Sequence, residues 1–191
     1  MVTIKEVRSG TEQRAFLEYP LDLYRDNPCF VPPLYGDEKK LFSRDFIYND
    51  TCECGYWLAY RDGKIVGRIM AIIQKASNEK NNEKRVRFDR FDAIDDQEVA
   101  TALFNAVEGF AREHGMNAVC GPLGFSDLER EGLLIEGFDQ LSTFEEQYNA
   151  EYYGRLIEGC GYAKEVDWLE YRLYAPNPRL RQSSKSCPTR C

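Results

Sequence analysis

The sequence lacks any uninterrupted apolar run near the roughly 18 residues that a membrane-spanning helix needs. It has almost no histidine, His114 being the single one, and no surplus of positive charge. Lys and Arg number 25 against 32 Asp and Glu in 191 residues, a formal net charge of −7. That sign suits neither nucleic acid nor an anionic membrane as a partner. Residues 1–10 have no apolar stretch of the kind a secretory leader carries, so a cytoplasmic protein is expected. The seven cysteines are odd in number and irregular in spacing, which fits reduced thiols better than a disulfide framework. Cys52 and Cys54 form the only tight pair in the body. With no second pair and a distant His114 they fall short of a four-ligand zinc set, so no metal is expected.

What is present reads as one folded body followed by a tail. Residues 176–191 hold four of the bases, no acid and almost nothing apolar, and are expected to be a disordered basic tail. The body, residues 1–175, is therefore more acidic than the whole chain. Residues 2–8 read as a strand. Ser9 and Glu12 have the spacing of a capping box and start a helix, which Pro20 should break or kink into a second short piece. Residues 37–43 suggest another helical turn. Residues 56–60 and 65–74 are strands joined through Asp62-Gly63, a favoured pair for a tight hairpin. The second strand is nearly all apolar and should lie centrally, covered on both faces. Residues 75–84 read as a polar loop and 86–94 as a further strand. In that strand alternation sends Arg85, Arg87 and Asp89 to one face and Val86, Phe88 and Arg90 to the other.

The most regular helix runs from about Asp96 to His114, with Val99, Leu103, Val107, Phe110 and Ala111 as its core stripe, Asp95 and Glu98 as a capping pair and Gly115 as its stop. Residues 117–121 read as a short buried strand closed by Gly121-Pro122, residues 151–159 as a helix, and residues 168–174 as a last strand. This order gives an α/β (α+β) fold with a mixed, mostly antiparallel central sheet flanked by helices.

With those elements in place, residues 1 to about 174 resemble the GNAT (acyl-CoA N-acyltransferase) superfamily. Within it the chain is similar to a bacterial group marked by DNPCFVPPL at 26–34, YRDGKIVGRI at 60–69, NEKNNEK at 78–84, Gly121-Pro122, GLLIEGFD at 132–139 and Tyr148-Asn149. Members of that group are commonly longer, so the chain reads as one shortened at its C-terminus. The resemblance implies acyl transfer from an acyl-CoA to a small amine. It places the cofactor near Ala93, Ile94, Gln97 and Asn149, and assigns Glu131 as base and Tyr153 as acid. In the superfamily a glycine-rich loop after the fourth strand offers backbone amides to the coenzyme's pyrophosphate. Here the corresponding stretch, residues 93–98, has no glycine and three carboxylates. Two like charges about 4 Å apart repel by about 1 kcal/mol in water and by more at lower dielectric. The alternative reading is therefore a non-catalytic module that keeps the fold and has lost the pyrophosphate loop, binding a small molecule, a protein or a second copy of itself.

Several carboxylates are candidate bases for an amine acyl transfer: Asp89 and Asp92 on the strand, and Asp127, Glu129 and Glu131 in the loop after Gly121-Pro122. Arg68 sits inside the apolar return strand. An isolated charge there is costly, so it must pair with Asp89 or Asp92 or hold an anionic ligand.

Overall fold

The computed structural model describes residues 1–171 and Leu173. The expected tail at 176–191, with Cys187 and Cys191, lies outside the described residues. Chain order is β1 (Thr3–Glu6), α1 (Gly10–Leu23), α2 (Tyr35–Glu38) running into a 3₁₀ turn (Lys39–Phe42), β2 (Cys52–Arg61), β3 (Lys64–Gln74), α3 (Lys75–Asn81), β4 (Arg85–Ala93), α4 (Gln97–Glu113), β5 (Ala118–Cys120) and α5 (Tyr153–Gly159). The five strands lie side by side in chain order. The first four are antiparallel and β5 is parallel to β4, so the sheet is mixed and mostly antiparallel. Among the described residues no helix is long and apolar enough to cross a membrane.

The hairpin that seeds the sheet follows from its turn. Asp62 and Gly63 both have positive φ, 51° and 76°, which matches the twist of the flanking strands and pairs Arg61 with Lys64. β3 is the central strand, and Ile69, Met70, Ala71 and Ile72 are wholly buried. One face of the sheet packs on α4 and α5 through Ile69, Ala71, Phe88, Val99, Leu103 and Phe104. The other packs on α1 through Phe16, Leu17, Leu58, Met70 and Ile72. Gly67 lets α4 approach β3 closely: a Cβ there would stand 2.8 Å from Leu103 Cδ1 and 3.0 Å from Val99 Cγ1. Gly67→Val should therefore overpack the layer and cost about 1–3 kcal/mol, read as a lower midpoint in urea at unchanged slope.

Five local expectations are corrected. Pro20 does not break α1; the helix runs on to Leu23, with the Tyr24 amide donating to Pro20 O. Residues 75–81 form the short helix α3, because the Gln74 side chain caps the Ser77 amide and Asn82 ends it at φ 53°. Asp96, not Asp95, caps α4, accepting from the amides of Glu98 and Val99. Strict alternation along β4 fails at a bulge. Residues 168–171 carry no strand, and Trp168 instead lies over Gly132.

Candidate active site

The bulge in β4 builds the site. Met70 pairs with Asp89 and Arg68 with Asp92, so β4 spends one more residue than β3 over this stretch. Arg90 absorbs the extra residue at φ 47°. Val86 and Phe88 before the bulge and Phe91 and Ala93 after it all join the core under α4. Asp89, Arg90 and Asp92 instead line a cavity on the α1 side.

That cavity has a volume of about 380 Å³, within the ordinary range for a small-molecule site. Pro20, α2, residues 126–130 and residues 144–148 enclose it. Its floor is a paired network. Arg68 Nε donates to Asp92 Oδ2 at 2.7 Å, with both side chains nearly sealed from solvent. Arg68 Nη1 donates to Phe16 O at 2.7 Å. Phe16 O is the carbonyl that residue 20 would bond in a regular helix, and proline has no N–H to give it. Arg68 supplies the missing donor, which explains how α1 passes through Pro20. Arg90 holds Glu38 through two bonds of 3.1 Å and Asp89 through one of 2.5 Å. Burial pushes the Glu38 carboxyl up, but the charge and hydrogen bonds of Arg90 outweigh it and hold it below its usual value.

Glu38, Asp89 and Asp92 are each in an ion pair, whereas Glu129 has none among the described residues. Its Oε2 accepts only the Phe125 amide, at 3.3 Å. Burial raises its pKa, and the lowering effect of Arg90 is too weak to reverse that. Arg130, the next residue, also lines the cavity and donates to Phe144 O at 2.7 Å. The lining carries six carboxylates (Asp37, Glu38, Asp89, Asp92, Glu129, Glu145) against four bases (Lys40, Arg68, Arg90, Arg130). Four lining residues are apolar and exposed to solvent: Leu34, Ile47, Leu128 and Phe144, with Leu128 93% exposed.

The sequence candidates fall in three places. Tyr153 is wholly buried beside β4. Its oxygen accepts from the Ala93 amide at 3.1 Å and from Tyr24 Oη at 2.7 Å, and lies 3.4 Å from Asp92 Oδ1, to which it can donate. Burial, reinforced by the Asp92 charge, holds this hydroxyl protonated far into the alkaline range. Tyr152 Oη donates to Ala93 O at 2.7 Å, so Ala93 has both backbone groups engaged by tyrosines. Ile94 donates its amide to Val66 O at 3.1 Å. Gln97 turns under α5, its Nε2 3.0 Å from Leu156 O. Asn149 is buried and clamps the backbone of Leu134 from both sides, at 2.7 and 3.1 Å. Glu131 is half-buried, its backbone bridged to Leu123, and it does not line the cavity. Of these residues the structure brings Tyr153 and Ala93 together. Sequence reasoning missed Glu38, Tyr24 and Arg130. Tyr24 left a trace only in the second short helical piece expected past Pro20, and Glu38 only in the helical turn expected at 37–43.

The acyl-CoA that the resemblance implies can be tested against the corner between β4 and α4. The Glu98 and Val99 amides that would meet a diphosphate are bonded to Asp96 Oδ1 at 2.9 and 3.3 Å. Arg61 is engaged with Asp96 Oδ2 and with Glu98, at 2.5 and 2.6 Å, and the arginine holds the Asp96 carboxyl below its usual value. Arg155 is engaged with Asp95. α5 lies directly on this corner: a Cβ on Gly159 would stand 2.4 Å from Gln97 Oε1. These residues do not fit the diphosphate of the coenzyme.

No family model matches the chain. Protein YghO of Escherichia coli K12 is 32% identical over 196 residues, covering 98% of this chain and 50% of YghO. The bacterial ceramide synthase of Caulobacter vibrioides is 30% identical over 174 residues, covering 90% of this chain and 45% of the synthase. The chain thus spans about half the length of the curated relatives it matches. An acetyltransferase of Clostridium acetobutylicum, solved with acetyl-CoA, is 10% identical and gives a TM-score of 0.54 over 90% of this chain and 96% of that one. Strand order, the direction of β5 and this likeness agree, and the chain has the GNAT (acyl-CoA N-acyltransferase) fold.

Proposed function

We propose that this chain carries out N-acyl transfer, and that the acceptor is an amine carried on an apolar chain. The observation behind this reading is Glu129: a carboxylate without an ion pair among the described residues, facing an acid-rich cavity with exposed apolar lining. A primary amine enters as an ammonium ion and must lose a proton before its nitrogen can attack a carbonyl. Glu129 takes that proton. The free amine then attacks the acyl carbon of a thioester, a C–N bond forms, the C–S bond breaks, and the thiolate leaves and is protonated. Glu129 takes the base role in preference to Glu131, because it lines the cavity and Glu131 does not. Tyr153 does not line the cavity either: wholly buried, it meets the site only through Asp92 Oδ1 at 3.4 Å and so positions that carboxylate, while the leaving thiolate takes its proton from solvent. Leu34, Ile47, Leu128 and Phe144 would carry the alkyl chain of such an amine. The relative named as a ceramide synthase supports this reading, since a ceramide is the fatty amide of a long-chain amino alcohol.

The test is amide formation, followed by mass spectrometry, from a palmitoyl thioester and a panel of primary amines running from ethanolamine to dodecylamine and a long-chain amino alcohol. Product is expected with the long-chain amines and less with ethanolamine. No amide from any of them overturns the proposal. Glu129→Gln should lower kcat/KM by about 10²–10⁴-fold, the usual worth of a positioned base. The base acts deprotonated, so activity should fall as pH drops through a pKa above the ordinary 4.5 of a glutamate. An unchanged rate in the Gln variant removes Glu129 from the mechanism.

A further inference from the structure

We infer that the corner between β4 and α4 is closed to a diphosphate by the chain's own carboxylates, so that an acyl donor is recognised here by its acyl-thioester end and not by its nucleotide. The inference rests on the acyl-transfer reading for its kinetic arm and stands without it for its binding arm.

Four observations converge. First, two of the amides at the start of α4, those of Glu98 and Val99, are already occupied. Asp96 Oδ1 accepts from Glu98 and Val99, and an incoming phosphate would have to displace a carboxylate tethered one residue away. Second, that carboxylate is itself anchored. Arg61 bridges Asp96 and Glu98, and Glu98 Oε1 also accepts the Val2 amide at 3.2 Å. Displacing Asp96 would therefore break its bond to Arg61, one of the two ion pairs that join β2 to the start of α4. Third, the two arginines near enough to offset an anion, Arg61 and Arg155, are both committed to carboxylates of this segment. Asp95, Asp96 and Glu98 outnumber them, so the corner repels a diphosphate before contact. Fourth, the way in along the open edge of β4 is filled. β5 pairs with β4 only at Arg85–Arg87, and beyond that point Tyr152 and Tyr153 take both backbone groups of Ala93. Gln97 and Gly159 close the space between α4 and α5.

A donor approaching the cavity from the α1 side meets neither the capped amides nor the tyrosines on Ala93, and an uncharged acyl-thioester end, unlike a diphosphate, is not repelled by the excess of carboxylates there. The acceptor site, with Arg90 and Glu129, lies on that side of the sheet. The nucleotide of a coenzyme thioester would then extend into solvent and contribute little to recognition.

Two measurements test this on the chain itself. Calorimetry with coenzyme A should show no saturable binding up to about 1 mM, the range in which a site worth roughly 4 kcal/mol begins to fill. In the acyl-transfer assay, palmitoyl-CoA and palmitoyl-pantetheine should give kcat/KM values within about tenfold of each other, the ratio that corresponds to 1.4 kcal/mol. Saturable binding of coenzyme A below that concentration, or a preference for palmitoyl-CoA larger than tenfold, overturns the inference. If neither thioester is turned over, it is the acyl-transfer reading that fails, and the calorimetry alone decides whether the corner is closed.

Discussion

Replacing Arg68 by Met should destabilise the fold by about 3–5 kcal/mol, the cost of leaving a buried carboxylate without its partner. For a domain of this size that is a fall in Tm of roughly 10 °C. The residue is 5% exposed and makes two bonds that nothing else replaces, one to Asp92 and one to Phe16 O. The second bond gives the prediction a signature. Phe16 O lacks a helical donor because residue 20 is proline, so Pro20→Ala returns an amide to it. The stabilising effect of Pro20→Ala should be larger in the Arg68→Met background than in the parent, by at least about 0.5 kcal/mol. Additive effects of the two substitutions would mean that Arg68 does not serve the broken turn of α1. The companion change Asp92→Leu should recover part of the loss in the Arg68→Met chain, since a buried pair is often replaced by apolar groups at little cost.

Much of the scaffold was legible because it is written in short-range chemistry. Asp62-Gly63 specifies its turn, Ser9 and Glu12 their capping box, and Val99, Leu103 and Val107 the buried stripe of α4. These features depend on neighbours within a few residues. Where the reading failed, a distant group had intervened. Pro20 predicts a break until Arg68, 48 positions later in the chain and on another strand, donates to the stranded carbonyl. Arg68 itself was read correctly as needing a carboxylate, and the choice of Asp92 over Asp89 was set by a bulge that alternation along β4 does not reveal. The same bulge carries Arg90 to the cavity instead of to the face of Val86 and Phe88.

The site was legible in its kinds of residue and less so in its positions. A carboxylate in the loop after Gly121-Pro122 was expected to face the cleft. Glu129 and Glu131 lie two apart in an irregular segment, and only the packing of Glu129 over Gly124 decides which one faces the cavity. Glu38 fell within the helical turn expected at 37–43 but carried no signal of its role, which comes from Arg90, 52 positions away. The acids at residues 95–98 were the most informative local feature, because the capping of a helix start is a local event; that an acid fills it was visible in the sequence, and that the acid is Asp96 and not Asp95 was not.

The largest expected loss of stability comes from Tyr153→Ala. The side chain has no exposure and its ring meets Phe91 with centroids 5.2 Å apart. Removing a buried aromatic of this size costs about 3–5 kcal/mol from the cavity alone. The hydroxyl adds to it. Its oxygen uses its full hydrogen-bonding capacity, accepting from Ala93 N and Tyr24 Oη and facing Asp92 Oδ1. Tyr153→Phe isolates that part. The ring stays, Tyr24 can turn its proton to Asp92 Oδ1, which is already 3.3 Å away, and the Ala93 amide alone is left without an acceptor. One orphaned buried donor costs about 1–3 kcal/mol, so Phe should fall well short of Ala in the loss it produces. Amide hydrogen exchange supplies the site-specific reading. The Ala93 amide should exchange faster in the Phe variant relative to its β3-bonded neighbour Ile94, whose partner Val66 O is untouched. Equal acceleration at both positions would show that the hydroxyl holds the whole end of β4 in place, and equal stability of the Phe and parent proteins would show that the amide finds another acceptor.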